Sequence, residues 1–409
     1  MEQRLKDFLN LILDFGDEWV VTKIESDHRL KHVYIYVEYK SDYYEDPVNM
    51  EPAKLYDHCS LREWRHLDIL DYKSYIRCRI PRVLCKDGKV RQIAVGWADS
   101  HDRHTCHFEM RVIDLLKITK NQSKTAQYLD CGFRLVNRII HRCTERGLIR
   151  RDQKYLSLEH ISIDEKSFHK GHKYVTVLSH PVSGVVLDVA EGRDTRATIE
   201  LLQNCLTRQQ RQNVCSVSVD MWKAYQNVIE DQLPNAEIVH DKFHLVKYLN
   251  ESIDKVRRRE AIDQDILKHG RYALLKNEEN LTAKQKEKFE QIKNSNLEVT
   301  NVWHIRENFK SLFGLSNNDS DAKSLLMTWV KDSIKYGIKE VNKVIDMFIS
   351  HIKGVVNALI SNFNNAMAER LNGKIQEIKL CGRGYRTFKN FRSAILFFHG
   401  GLDLYPLKW

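Results

Sequence analysis

Between His160 and His240 the chain alternates short β-rich runs and helical stretches in an order that few folds accept. His160–Asp164 (HISID), Tyr174–Leu178 (YVTVL) and Val185–Val189 (VVLDV) carry the β-branched and apolar residues of strands. Gly171 and Pro181-Val182-Ser183-Gly184 separate them, which predicts three sequential strands in a meander. Thr198–Cys205 then has a helical period, Cys215–Val219 (CSVSV) reads as a fourth strand, Ala224–Asp231 as a helix and Ala236–His240 (AEIVH) as a fifth strand.

The order β-β-β-α-β-α-β matches the ribonuclease-H-like topology, an α/β fold with a mixed sheet and helices on both faces. In it strands one and four are neighbours. Asp164 closes the first strand and Asp220 closes the fourth, while Glu369 lies on a late helix. Carboxyl ends of neighbouring strands meet at one sheet edge, where ligands bind. Three hard carboxylates there can hold two Mg²⁺ ions about 3.5–4 Å apart, the arrangement that activates and stabilises the oxygens of a phosphodiester. Magnesium is expected, with manganese as a substitute, because zinc favours His and Cys. Any single acid at a strand end is more often a turn-former or a solvated charge; the joint pattern carries the argument. Asp241 follows the fifth strand at the same edge and competes with Asp220, which is preferred because strand four adjoins strand one. His244 then supports the site or touches DNA, or it is an ordinary capping or packed histidine.

Around this core, residues 1–27 carry apolar residues at helical spacing (Leu5, Phe8, Leu9, Leu11, Ile12, Phe15), and Val33–Trp97 turns to short β-like runs. Ser123–Arg151 reads as helix, turn at Cys131-Gly132, helix. In a helix-turn-helix the second helix enters the major groove, so Arg134, Asn137 and Arg138 would meet base edges; the alternative is a helical hairpin within a core. From Phe243 to His351 the period stays helical, and further helices follow at 357–380 and 388–398. The expected division is therefore a β-rich module at 1–107, a helix-turn-helix at 108–152, a catalytic core at 156–245 and 352–409, and an all-helical insertion at 246–351.

Lys and Arg number 65 against 55 acids, a net charge of +10 that favours a polyanionic partner such as DNA. The tail KLCGRGYRTFKNFR interleaves Arg383, Arg386, Lys389 and Arg392 with Tyr385, Phe388 and Phe391, which suits DNA backbone and exposed bases unless the aromatics pack inward. Lys166, in DEKS beside Asp164, is a further candidate DNA contact, and Lys255–Arg259 reads as a DNA-facing patch or a solvated face. No apolar run approaches the ~20 residues of a membrane span. The N-terminus lacks a secretory pattern, so a cytoplasmic protein without a membrane partner is expected. Nine scattered cysteines read as reduced thiols.

Longer phrases narrow the reading. WRHLD (Trp64–Asp68), CRIPRVLC (Cys78–Cys85), IDEKSFHKGHKYVTV (Ile163–Val177), VDMWKAY (Val219–Tyr225), IVHDKFHLVK (Ile238–Lys247) and NAMAERLNGKIQ (Asn365–Gln376) resemble DDE-type transposases of bacterial insertion sequences, the ISL-three group. The resemblance runs from about Trp64 to Leu402. It implies that Asp164, Asp220 and Glu369, 56 and 149 residues apart, are a catalytic triad in a ribonuclease-H-like domain. It also implies Mg-dependent cleavage and strand transfer at terminal inverted repeats, by at least a homodimer on DNA. Members usually carry a zinc ribbon with two Cys-x-x-Cys pairs; here the first falls near Asp46-Pro47-Val48-Asn49, and the second keeps only Cys85 before Lys86-Asp87-Gly88. Cys59, Cys78 and Cys106 with His58, His101, His104 and His107 fit no known ribbon spacing, so a metal-free module is expected. Two rivals remain: a helix-turn-helix regulator, and a ribonuclease-H-like structure-specific nuclease.

Overall fold

The N-terminal helical period stops early. In the computed structural model, which describes residues 2–153, 157–169, 173–361 and 366–406, α1 spans Glu2–Leu13 and buries only Leu9 and Leu13. Asp14 and Gly16 then take positive φ (45° and 89°), which ends the helix. The chain enters β1 (Trp19–Asp27), which corrects the expectation of a helical stretch to residue 27.

Two units result, one formed by 1–153 with 381–383 and 402–409, the other by 154–380 with 384–401. In the first, the strands are β2 (His32–Tyr39), β3 (Tyr44–Glu45), β4 (Pro52–His58), β5 (Arg62–Arg65), β6 (Lys73–Cys78), β7 (Pro81–Leu84) and β8 (Val90–Gln92). They make two four-stranded sheets, β1-β2-β6-β5 and β3-β4-β7-β8. Alternation sends Ile35, Val37, Trp64, Ile76 and Cys78 into one core with Trp19 and Trp97. Three helices follow: α2 (Cys106–Thr119), α3 (Gln122–Tyr128) and α4 (Phe133–Gln153). Thr105 and Asn121 cap α2 and α3. Ala126 and Leu129 are buried, as are Val136, Ile139 and Ile140 on α4.

The two turns where the family's ribbon would fall do meet. Donor atoms of Asp46, Cys85 and Asp87 lie within 4.8 Å of one another. Arg91 of β8 already sits among them, with Nη1 3.1 Å from Asp46 Oδ2 and 2.9 Å from Asp87 Oδ1. One thiol, two carboxylates and a guanidinium do not fit a closed structural zinc site, which needs four thiolate or imidazole ligands. Arg91 supplies the positive charge between the turns instead. EDTA is therefore expected to leave the melting temperature unchanged, while Arg91→Ala lowers it by about 2–4 °C; stoichiometric zinc in the purified protein would refute this. All nine cysteines are free.

The second unit is built on a five-stranded sheet of β9 (His160–His169), β10 (Lys173–Ser179), β11 (Val186–Glu191), β12 (Ser216–Val219) and β13 (Glu237–His240). Its order is β11-β10-β9-β12-β13. The first three strands pair antiparallel as the expected meander, and β12 pairs parallel with both β9 and β13. Helices α5 (Thr195–Cys205), α6 (Arg208–Asn213) and α7 (Lys223–Gln232) occupy the connections. Leu201, Leu202, Tyr225, Val228 and Ile229 share a core with Ile161, Ile163, Val217 and Val219.

From α8 (Lys242–Glu260) onward the described residues form no strand. The block continues with α9 (Arg271–Leu275), α10 (Ala283–Lys293), α11 (Glu298–Ser311), α12 (Asp319–Ile334) and α13 (Lys339–Ser350). They enclose a core around Phe309, Trp329 and Phe348 that also takes in Met221 and Val239 of β13. The chain returns to the sheet through α14 (Ile352–Ile360), α15 (Ala366–Cys381) and α16 (Phe388–His399). Gly354 permits a close approach, since a Cβ there would lie 2.6 Å from the His240 ring at the end of β13. Among the described residues, no helix is long and apolar enough to cross a membrane.

Candidate active site

Strand register brings three acids into one row. β12 pairs with β9 as Ser218↔Ser162 and with β13 as Val219↔His240. Continued to the next residues, the same register sets Asp220 beside Asp164 on one side and Asp241 on the other. Neighbouring strands are about 4.8 Å apart, and residues in register on parallel strands point to the same face. One detail differs from expectation: Asp164 does not close its strand. The parallel pairing with β12 ends at Ser162, while β9 runs on to His169 as an arm of the hairpin with β10, where Asp164 pairs with Val177.

Each carboxylate is held. Asp164 Oδ1 accepts from the Glu165 backbone N–H at 2.7 Å, and Lys166 Nζ lies 2.8 Å from Oδ2. Asp220 Oδ1 accepts from Met221 N–H at 2.7 Å and from the Tyr248 hydroxyl at 3.2 Å. His244 Nδ1 stands 3.3 Å from Asp220 Oδ2, yet without hydrogen-bond geometry: the nitrogen is buried and unpartnered. Asp241 caps α8, accepting from Phe243 N–H at 2.8 Å. His244 and Tyr248 are one turn apart on α8, so both reach Asp220. Tyr248 escaped the sequence reading, although its spacing from His244 was the available signal.

Burial pushes Asp241 above the usual carboxylate range; His244 opposes this, and the negative charges of Asp164 and Asp220 add to it. Burial, the Asp220 charge and their hydrogen bond likewise push the Tyr248 phenol up, so it remains a donor at neutral pH. A raised native pKa means that ionised Asp241 costs stability above that pKa and nothing once both folded and unfolded chains are protonated. Asp241→Asn, an equally good cap, is expected to melt higher than wild type at pH 8, with the gap closing below the ordinary Asp range; a pH series of thermal melts measures it.

Glu369 lies on α15, with its side chain outside the described residues. Further along that helix, Lys379 Nζ donates to the Ser167 carbonyl of β9 at 3.0 Å, and Leu371, Ile375 and Ile378 are buried. The row offers hard oxygen donors, which fit a divalent cation of the Mg²⁺ class better than a soft one.

The basic candidates divide. Arg134, Arg138, Arg383, Arg386 and Lys389 are exposed. Asn137 is half-buried and donates to Gln122 Oε1 at 3.0 Å. Arg392 instead grips Asp188 with two bonds of 2.7 and 2.8 Å, tying α16 to β11. Phe391 is fully buried and stacks on Phe168 at 5.1 Å, so that aromatic packs inward rather than meeting bases. Arg257 and Arg258 pair with Asp254, and Arg259 with Glu298 and Glu340, so the three arginines of the basic run on α8 are paired within the unit.

Comparisons with known proteins give the family. The family model DDE_Tnp_ISL3, described as transposase, matches residues 161–395, more than half of the chain. The transposase for insertion sequence element IS1001 of Bordetella parapertussis is 28% identical over 341 residues, covering 81% of this chain and 83% of that one. The transposase for insertion sequence element IS1557 of Mycobacterium tuberculosis is 26% identical over 367 residues, covering 82% and 81%. Among solved structures, the Drosophila P element transposase strand transfer complex aligns over 75% of this chain and 94% of that one, with 9% identity and a TM-score of 0.37.

Proposed function

Because the chain belongs to the DDE_Tnp_ISL3 family of transposases, enzymes of DNA strand cleavage and strand transfer in DNA transposition, we propose that Asp164, Asp220 and Glu369 are its catalytic acids. The observation that carries this reading is the shared register row of Asp164 and Asp220 on adjoining parallel strands. We read the five-stranded unit as ribonuclease-H-like, supported by three antiparallel strands followed by two parallel ones in the order 3-2-1-4-5.

DDE transposases use divalent metal ions, and here magnesium, replaceable by manganese, suits the carboxylates. Bound ions of this kind polarise a phosphodiester and lower the pKa of an attacking oxygen. The chain's own groups prepare that chemistry. Asp164 and Asp220 are oriented by backbone N–H groups, and the Tyr248 hydroxyl fixes Asp220 Oδ1. Lys166 offsets their mutual repulsion. Water attacks at the transposon end, and the freed 3′-OH then attacks target DNA, so neither a protein nucleophile nor ATP is needed.

Arg134, Asn137 and Arg138 on α4 read repeat bases, and Arg383, Arg386 and Lys389 contact phosphates. The segments 1–107 and 108–152 serve recognition, 156–245 and 352–409 catalysis, and the helical block 246–351 subunit contact in a homodimer on DNA. Labelled repeat ends, a target plasmid and Mg²⁺ test the proposal: cleaved ends joined to plasmid are expected. Cleavage without joining favours the nuclease, and repeat binding unaffected by Asp220→Ala without any cleavage in wild type favours the regulator.

A further inference from the structure

The two oxygens of Asp220 meet different partners. Oδ1 accepts from Met221 N–H at 2.7 Å and from the Tyr248 hydroxyl at 3.2 Å. Oδ2 faces His244 Nδ1 at 3.3 Å, a nitrogen that is buried and has no hydrogen-bond partner. His244 and Tyr248 sit one turn apart on α8, so the start of that helix sets both contacts. Two nearby histidines differ. His240 Nδ1 faces the Val219 carbonyl at 3.3 Å, and His351 Nδ1 meets Gln226 Nε2 at 2.8 Å. Leaving His244 Nδ1 unpaired costs free energy and calls for an explanation. An N–H there aimed at Oδ2 would close a bond at this range, but the ring is turned so that it does not. With the proton on Nε2, Nδ1 is an acceptor, and two acceptors then stand side by side. A cation bound by both makes that arrangement favourable, and the spacing suits one. Adjacent ligands of an octahedral ion with bonds of about 2.1 Å lie about 3 Å apart.

We propose that His244 is a metal ligand, its Nδ1 holding the same divalent cation as Asp220 Oδ2. This rests on the reading of Asp164, Asp220 and Glu369 as catalytic acids, and it adds a nitrogen to what three carboxylates alone would make an all-oxygen set. The Tyr248 hydroxyl takes Oδ1, which leaves Oδ2 for the ion on the side where the imidazole stands. Imidazole is a softer donor than carboxylate or water and suits transition ions, whereas magnesium takes oxygens. His244 therefore adds more to the binding of Mn²⁺ than to that of Mg²⁺, so the two ions support the enzyme unequally.

The test uses the full-length protein with Mn²⁺ alone, read by electron spin echo modulation at the bound ion, which detects a directly bonded nitrogen without any turnover. The expected result is a bonded-nitrogen signal in the wild type that shifts when histidine carries the heavy nitrogen isotope. It should vanish in His244→Ala and His244→Asn. Asparagine can set an amide oxygen near the place of Nδ1, so His244→Asn should keep most Mg²⁺ affinity while Mn²⁺ affinity falls about tenfold. The ratio of strand transfer in Mn²⁺ to that in Mg²⁺ should fall with it. Bound Mn²⁺ with no bonded nitrogen in the wild type overturns the proposal and leaves His244 as a packed or water-bridged neighbour; that readout needs no substitution, so a misfolded variant cannot mask it. A nitrogen signal that persists in both His244 variants also overturns it. Mn²⁺ bound as tightly by Asp220→Asn as by the wild type is a different outcome, which overturns the carboxylate reading beneath the proposal.

Discussion

Asp220→Asn should reduce strand cleavage and strand transfer by about a thousandfold or more while repeat binding stays within about twofold. Asparagine keeps the volume and can still accept from Met221 N–H and the Tyr248 hydroxyl. What it loses is the charge that a divalent cation needs. Asp164→Asn and Glu369→Gln are expected to do the same. EDTA should abolish activity in the wild type, and Mg²⁺ or Mn²⁺ should restore it. The decisive comparison is with Asp241→Asn, because Asp241 occupies the next place in the same row and its carboxyl is already biased toward the neutral form. Its variant should retain most activity. If Asp241→Asn were inactive and Asp220→Asn active, the second acid would have been misassigned by one strand. Loss of repeat binding in all the acid variants would instead indicate misfolding.

The elements of the sheet were legible because period-two runs separated by Gly and Pro leave little freedom in where strands begin. Their order then made Asp164 and Asp220 neighbours. Register was not legible: that Asp241 completes the row depends on how β13 slides against β12, which no local pattern states. Nor did a local signal end β9 at Asp164, since EKSFH contains no turn residue and the hairpin continues. At the N-terminus, apolar spacing suggested helix to residue 27, but Asp14 and Gly16 were the stop signals, and WVVTKI beyond them is β-rich. The short α6 was missed although Thr207 and Gln210 form a capping box. Long-range ion pairs were the least visible. Arg392 with Asp188 and Arg91 with Asp46 join residues far apart in the chain, and Arg392, which looked available to DNA, is instead paired within the unit.

The largest stability effect is expected inside the first unit, at Glu109. This residue of α2 is 1% exposed and receives two guanidinium groups from α4. Arg142 Nη2 bonds to its Oε2, and Arg146 Nη2 lies 2.8 Å from its Oε1. Arg142 also pairs with Asp102, which is 7% exposed, and approaches His104 Nε2 at 3.1 Å. Burial pushes His104 down to about 4, so it is a neutral acceptor at pH 7 and adds no third positive charge. Arg146 further donates to the Leu404 carbonyl at 2.9 Å, which fastens the C-terminal segment to α4. A buried pair is weak evidence for net stabilisation, but removing one partner is costly because the other charges stay desolvated. Glu109→Ala should therefore destabilise the unit by about 3 kcal/mol, a fall in melting temperature of roughly 6–12 °C for a unit of this size. Arg150–Asp403 provides the control: the pair is 3.0 Å long but Asp403 is 60% exposed, so Asp403→Ala should cost about 1 kcal/mol or less. Since α4 also carries Arg134 and Arg138, Glu109→Ala should weaken repeat binding at temperatures near its lowered transition. Asp220→Asn should leave both melting and binding near wild type. A Glu109→Ala protein that melts with the wild type would mean that Arg142 and Arg146 find water or other acceptors without cost, and that α4 is held by its apolar face alone.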